Sequence, residues 1–338
     1  VPEQPITPDS QPSDCPTPLS WQQVLETFDE QSEAWEINTP RGLVTGRSIG
    51  DGPPLVMLNP LLGNWQLMAL AAWLLKDQFQ VVLFDDSSLT HPRARIADGS
   101  VDDLVEDLWS VCQDRKLEPA IVLGTGLGSA VGLAALAQHE GRIAAAVLQG
   151  PVMTSRLTAP ERWLARLGSH LPGQLKHLPG YRSLMIHNHL PWFPPFDPSR
   201  LSFTIDIIGQ LPLRIAARRA RRLDQLDLGN CLEQLKHNHH TPPVLLIVPE
   251  SLSNHSPTRQ PSATIQIASH LTNVTVETLG GCGPLGCLTH PHRLTKLVRT
   301  FLNDSPASIP ASIPASIPAS IPASIFKQAL NPLSAASD

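Results

Sequence analysis

Short apolar runs alternate with longer segments of helical periodicity through most of this 338-residue chain. Pro54 to Leu58, Gln80 to Phe84, Ala120 to Leu123 and Ala144 to Leu148 are apolar blocks too short for helices. Continuous apolar runs of this length mark strands buried on both faces. Trp65 to Lys76, Val101 to Arg115 and Leu127 to His139 instead return apolar residues every three or four positions, which predicts helices. Val244 to Val248 and Val274 to Leu279 continue the strand series, and Arg293 to Asn303 supplies a last helix. Trp35 to Ile49 alternates around an Arg-Gly turn, as an antiparallel edge pair would. Strands that alternate with helices predict an α/β fold with a mostly parallel central sheet and helices on both faces. Residues 152–237 break the rhythm, with helical periodicity and no strand, and predict an inserted helical cap.

The two ends read differently. Residues 1–18 are rich in Pro, Ser, Gln and Asp and predict a disordered arm. From Pro306 to Ile325 the unit Pro-Ala-Ser-Ile repeats five times. Proline at every fourth position removes an amide donor and biases its predecessor to extended backbone, so a semi-rigid spacer is expected. The predicted organisation is therefore an arm at 1–18, a first core part at 19–151, the cap at 152–237, a second core part at 238–304, and the repeat with a disordered tail at 305–338.

Hydrophobic residues make up 41% of the chain, charged residues 16%, and the net charge is −5. That balance supports a sizeable core and argues against nucleic acid as a partner, because phosphate contacts require a basic surface. Cys15, Cys112, Cys231, Cys282 and Cys287 are odd in number, and no spacing fits CxxC chemistry or a zinc pair, so reduced structural thiols are expected. No apolar run approaches the ~20 residues of a bilayer span, and no charged-then-apolar leader opens the chain. A cytoplasmic location without stable membrane insertion is the expectation, although a start at Val1 leaves a removed leader open. Asn-x-Ser/Thr triplets at Asn254, Asn273 and Asn303 carry little weight without a secretory signal.

Several segments, taken in order, resemble the α/β-hydrolase family. Asp51-Gly52-Pro53-Pro54 leading into Leu55-Val56-Met57-Leu58 resembles the approach to the family's oxyanion loop. Gln80 to Asp85 resembles its "V-I-A-F-D" strand, and Gly124-Thr125-Gly126-Leu127-Gly128 sits where the G-x-S-x-G nucleophile elbow belongs. Val147 to Pro151 matches the strand before the cap, and Leu245 to Glu250 the strand carrying the acid. Leu279 to Pro284, followed by His290-Pro291, is similar to the family's "G-G-H-x-P" ending. The resemblance covers about residues 40–303 and implies an esterase- or lipase-like hydrolase fold.

The residues that would do the chemistry are different. The nucleophile position is Gly126, which has no side chain. The histidine position is Cys282, and a thiol lacks the paired donor and acceptor of an imidazole. The acid position falls in Pro249-Glu250-Ser251-Leu252-Ser253, where Glu250 is one acidic choice and the usual position reads Leu252. Asn59-Pro60-Leu61-Leu62-Gly63 replaces the His-Gly opening of the oxyanion loop, yet the amides of Leu61 and Leu127 remain available, since such a hole is built from main chain. No catalytic residue is assigned. Leu61, Leu62, Gly126, Leu127, Glu250 and Cys282 are expected to line a degenerate pocket, with no metal and no cofactor.

Other features of the sequence have plain explanations. Ser129, one helical turn past the elbow, reads as a packing residue rather than a displaced nucleophile. Cys282 reads as an inert buried thiol, and His290 and His292 as surface residues. Arg214, Arg218, Arg219, Arg221 and Arg222 form a basic run expected to be a solvated cap face partly neutralised by Asp224 and Asp227; docking to an anionic partner or membrane surface is the alternative. Pro191 to Phe196 either lines the cap's pocket or seats the cap on the core. His237, His239 and His240 lack a complementary ligand and read as surface histidines. Together these predict an inactive α/β-hydrolase-fold protein that binds a small molecule or protein. The alternative is an active hydrolase or acyltransferase with displaced groups.

Overall fold

The computed structural model describes residues 19–87, 100–154, 156–194, 197–238, 240–249 and 260–305. The arm at 1–18, the Pro-Ala-Ser-Ile repeat and tail, and His239, Glu250 and Leu252 lie outside them.

Helix α1 (Trp21–Gln31) precedes the hairpin of β1 (Glu33–Thr39) and β2 (Gly42–Ile49). Strand β3 (Pro54–Leu58), helix α2 (Ala69–Leu75), β4 (Gln80–Asp85), α3 (Val101–Asp114), β5 (Ala120–Thr125), α4 (Leu127–Gln138) and β6 (Ile143–Gln149) follow in alternation. Five helices then intervene: α5 (Ala159–Gly168), α6 (Tyr181–His189), α7 (Pro198–Gly209), α8 (Leu213–Gln225) and α9 (Gly229–His237). The alternation resumes with β7 (Val244–Pro249), α10 (Gln260–Ser269), β8 (Val274–Leu279), α11 (Gly286–Thr289) and α12 (Pro291–Asp304). Among the described residues, eight strands form one sheet in the order β1-β2-β4-β3-β5-β6-β7-β8. β2 pairs antiparallel with both β1 and β4, and every other pairing is parallel.

The apolar blocks became central strands for the expected reason: every residue of β5 and β6 is buried. Their two faces feed two separate cores. One packs Val56, Val82, Val122 and Leu148 against Leu108, Leu133 and Leu232 of α3, α4 and α9. The other packs Leu55, Met57, Leu83 and Leu123 against Ala72, Leu294 and Val298 of α2 and α12. Each such side chain contributes about 1.5–3 kcal/mol on burial, which fixes the register of the sheet. β8 is an edge strand and is largely exposed.

Three helices outside the insertion go beyond the predicted elements: α1, α10 and the four-residue α11. The signal for α1 was a capping box: the Ser20 hydroxyl accepts from the Gln23 amide and the Gln23 side chain accepts from the Ser20 amide. The five-helix insertion between β6 and β7 is seated by a third apolar cluster. Tyr181, Met185, Phe193, Leu201 and Ile205 meet Leu67, Leu70, Leu285 and Leu288 there. Among the described residues no helix is long and apolar enough to cross a membrane.

Candidate functional site

β5 ends in a tight bend into α4, and the flanking glycines explain why. A Cβ on Gly124 would stand 2.4 Å from the Gly128 carbonyl oxygen, and one on Gly128 would stand 2.3 Å from that of Leu58. Gly126, at the apex, has φ 56° and ψ −110°, backbone that side-chain-bearing residues adopt only under strain. Its amide donates to the Gln149 carbonyl at 3.0 Å, and its carbonyl accepts from Ser129 and Ala130. A Cβ built on Gly126 would meet nothing within 4 Å among the described residues. The bend thus has the geometry that displays a nucleophile, with room for one and none present.

Ser129 is fully buried, its hydroxyl 2.8 Å from the carbonyl oxygens of both Gly124 and Gln149. It ties α4 to the sheet and faces no open space.

The segment after β8 folds down beside the bend. Cys282 is fully buried, with Sγ 3.1 Å from the Gly283 carbonyl and 3.7 Å from Thr289 Oγ1. Burial pushes its thiol up to about 11, the opposite of an activated cysteine. Two polar residues at the ends of the central strands hold this segment. Thr125 Oγ1 donates to the Pro284 carbonyl at 2.8 Å, and Gln149 Nε2 to the Gly283 carbonyl at 3.2 Å. A Cβ on Gly286 would lie 2.5 Å from Gln149 Nε2, so the approach is close.

On the other side of the bend, Asp85 ends β4 and accepts from Asn59 Nδ2 at 3.0 Å and the Trp65 amide at 2.9 Å. Burial raises its carboxyl to about 7, against the pull of the Trp65 amide and the charge of Arg219. Arg219 reaches down from α8 and is only 2% exposed. Its Nη1 donates to the carbonyls of Leu61 at 3.1 Å and Gly63 at 3.3 Å, and its Nη2 pairs with the Asp86 carboxylate. Arg222 is also buried, and burial lowers its pKa against the opposing charges of Asp86 and Asp103.

Arg219 and Arg222 correct the expectation of a solvated arginine face. α8 turns these two inward, where Asp86 and the loop carbonyls offer the Arg219 guanidinium more than water-exposed neighbours would and Arg222 lies buried in the field of Asp86 and Asp103. Arg214, Arg218 and Arg221 stay partly exposed.

Of the expected pocket residues, Leu61 and Leu62 are half-buried in the apolar clusters, and Leu127 lines a small cavity with Asn59, Gly128 and Arg219. That cavity holds about 30 Å³, room for about one water. Cys282 lies beneath the surface, and Glu250 is outside the described residues. Trp192 and Phe193 pack the five-helix insertion onto the core and also border a cleft. Phe193 is buried in the seating cluster, Trp192 presses on Gly283, and both line a cleft with His290. No group of three or more potential metal ligands is gathered among the described residues. The sequence pattern assigns no site role to Thr125, Gln149, Asp85 or Arg219. The one available signal was Gln149, a polar residue ending the apolar strand Ile143–Gln149.

A family model described as alpha/beta hydrolase fold matches residues 53–291. No curated protein sequence matches this chain. Among solved structures, an enol-lactonase from Burkholderia xenovorans LB400 superposes with a TM-score of 0.66 at 18% identity, covering 80% of this chain and 100% of its own. A thermophilic esterase from Thermogutta terrifontis, solved with malate bound, gives 0.64 at 15% identity, covering 81% and 99%. A hydrolase from Pseudomonas aeruginosa PA01 gives 0.64 at 18% identity, covering 80% and 98%. At such identities the likeness is one of fold.

Proposed function

The chain belongs to the α/β-hydrolase fold family, and on that premise we propose that it is a catalytically inactive member, retained as a binding module for a small molecule or protein. The observation that carries this reading is Gly126: a strained elbow, open to a side chain, without an atom able to attack a carbonyl. The base position supports it. Cys282 is buried with its thiol pushed up to about 11, so it supplies neither a proton shuttle at neutral pH nor a thiolate. Ser129 is occupied between two carbonyls and does not replace the missing hydroxyl. In a working triad, losing the serine or the histidine alone costs about 10⁶ in kcat. The likeness to an esterase and a lactonase supports descent of the scaffold, and the binding role follows from keeping that scaffold without its chemistry.

The test combines turnover and labelling on the purified full chain. Hydrolysis of p-nitrophenyl butyrate is expected at the buffer rate, with no fluorophosphonate label on any serine and no native-state alkylation of Cys282 by iodoacetamide. Saturable ester hydrolysis that disappears in Ser129→Ala or Cys282→Ala overturns the proposal.

A further inference from the structure

A second cleft opens where the segment after α6 faces the junction of α11 and α12. It encloses about 490 Å³, within the usual range of roughly 300–1,000 Å³ for small-molecule sites. One wall is apolar, formed by Trp192 and Phe193 between prolines. The other carries Arg200, His290, His292 and Arg293, and among the described residues no acidic side chain lines the space.

The polar wall is arranged in advance. Arg200 is held by the Asp197 carboxylate at 2.8 Å and by the Leu288 carbonyl at 3.2 Å. Arg293 spends one Nη on the Gly280 carbonyl at 2.7 Å, and its head remains exposed with further N–H groups to donate. Thr289 Oγ1 lies 3.0 Å from the Leu285 carbonyl oxygen and 3.0 Å from His290 Nδ1, which fixes the His290 ring against the wall. The start of the 14-residue α12 borders the same space at Pro291, and its positive end adds to the preference for an anion.

The geometry points to a binding site for an amphipathic organic carboxylate, with a ring or short acyl chain against Trp192 and Phe193 and the carboxylate against Arg293 and His292. Free Nη donors suit the planar carboxylate fork, and the aromatic wall supplies contact area at small entropic cost. Neither Gly126 nor Cys282 lines the cleft, although its Thr289 lies 3.7 Å from Cys282 Sγ, so this proposal and the one about the elbow are tested through different residues. Ester hydrolysis by the full chain would overturn that proposal and leave this one intact.

Isothermal titration of the full chain with 2-naphthoate tests it, with uncharged 2-naphthalenemethanol as the matched control. One-to-one binding with Kd of about 0.1–1 mM is expected, at least tenfold tighter than the control. Arg293→Gln, at an exposed position that leaves the core untouched, is expected to weaken 2-naphthoate at least tenfold while leaving the control unchanged. Trp192→Phe should weaken both. Gly126→Ser should weaken neither. Absence of saturable binding up to 5 mM (about five times the weakest expected Kd), equal affinity for the control, or an affinity unmoved by Arg293→Gln overturns the assignment.

Discussion

Arg219→Ala is the substitution whose cost the structure lets one work out in parts. The guanidinium is 2% exposed, pairs with Asp86, whose side chain is 13% exposed, and bridges the carbonyls of Leu61 and Gly63. Breaking a buried ion pair by removing one partner typically costs about 3–5 kcal/mol, because the remaining charge has lost its compensation. Charge-assisted bonds to two carbonyls would add about 1.5–3 kcal/mol each if independent, but they share one head group and the loop can relax toward water. The nearby Arg222 also takes up part of the Asp86 field. About 3 kcal/mol is the resulting expectation, a large share of the ~5–15 kcal/mol that holds a typical protein together. With a urea m-value of about 3 kcal/mol/M for a chain of this size, the midpoint should fall by about 1 M. The assay is equilibrium urea unfolding followed by tryptophan fluorescence, for the parent, Arg219→Ala, Asp86→Asn and the double variant. Coupling between the two positions should be at least ~1.5 kcal/mol. A midpoint shift under ~0.3 M with unchanged m would show that Arg219 is solvated and that α8 does not clasp the loop.

The elbow and its neighbour carboxylate give two more tests. Gly128→Ala must push α4 away from the Leu58 carbonyl and should cost about 3 kcal/mol or more, whereas Gly126→Ala meets open space and pays only the positive-φ penalty of about 1–2 kcal/mol. Thermal unfolding of the pair reads the order, and equal Tm values would refute the bend. Asp85 is raised to about 7 when folded, so between about pH 4 and 7 the folded chain keeps a proton that the unfolded chain has released, and stability falls as pH rises through that window. Asp85→Asn keeps an acceptor for the Trp65 amide and removes the charge. It should flatten that fall and stabilise the protein at pH 8 by at most about 4 kcal/mol, nearer 2 after solvent screening. A parent and variant with parallel pH profiles would place the Asp85 pKa in the ordinary range.

Much of the sheet was legible because its strands are buried on both faces. A run such as Ile121-Val122-Leu123 needs no partner information to be recognised as interior. The elbow was legible through the spacing of Gly124, Gly126 and Gly128, since each glycine answers a separate steric demand. Arg219 was not. Its five-arginine helix is amphipathic, and which side faces inward depends on Asp86, 133 positions earlier in the chain. Local periodicity carries no trace of such a partner. The polar lock of Thr125 and Gln149 was hidden for the same reason, because its acceptors are main-chain oxygens of residues 283 and 284. Helix α1 carries its signal in its capping box, whereas its apolar face is narrow, with Phe28 its one fully buried residue.

The oxygens gripped by Arg219 belong to peptide groups, so the grip does not read the side chain at position 61, whereas position 63 must stay glycine because its φ is 117° and a Cβ there would stand 2.2 Å from Leu67 Cδ1. Position 61 is free to drift in composition while the length of the loop is not. One residue inserted or deleted between Asn59 and Trp65 would shift both acceptors out of reach, even where a wholesale exchange of apolar side chains left the clasp whole.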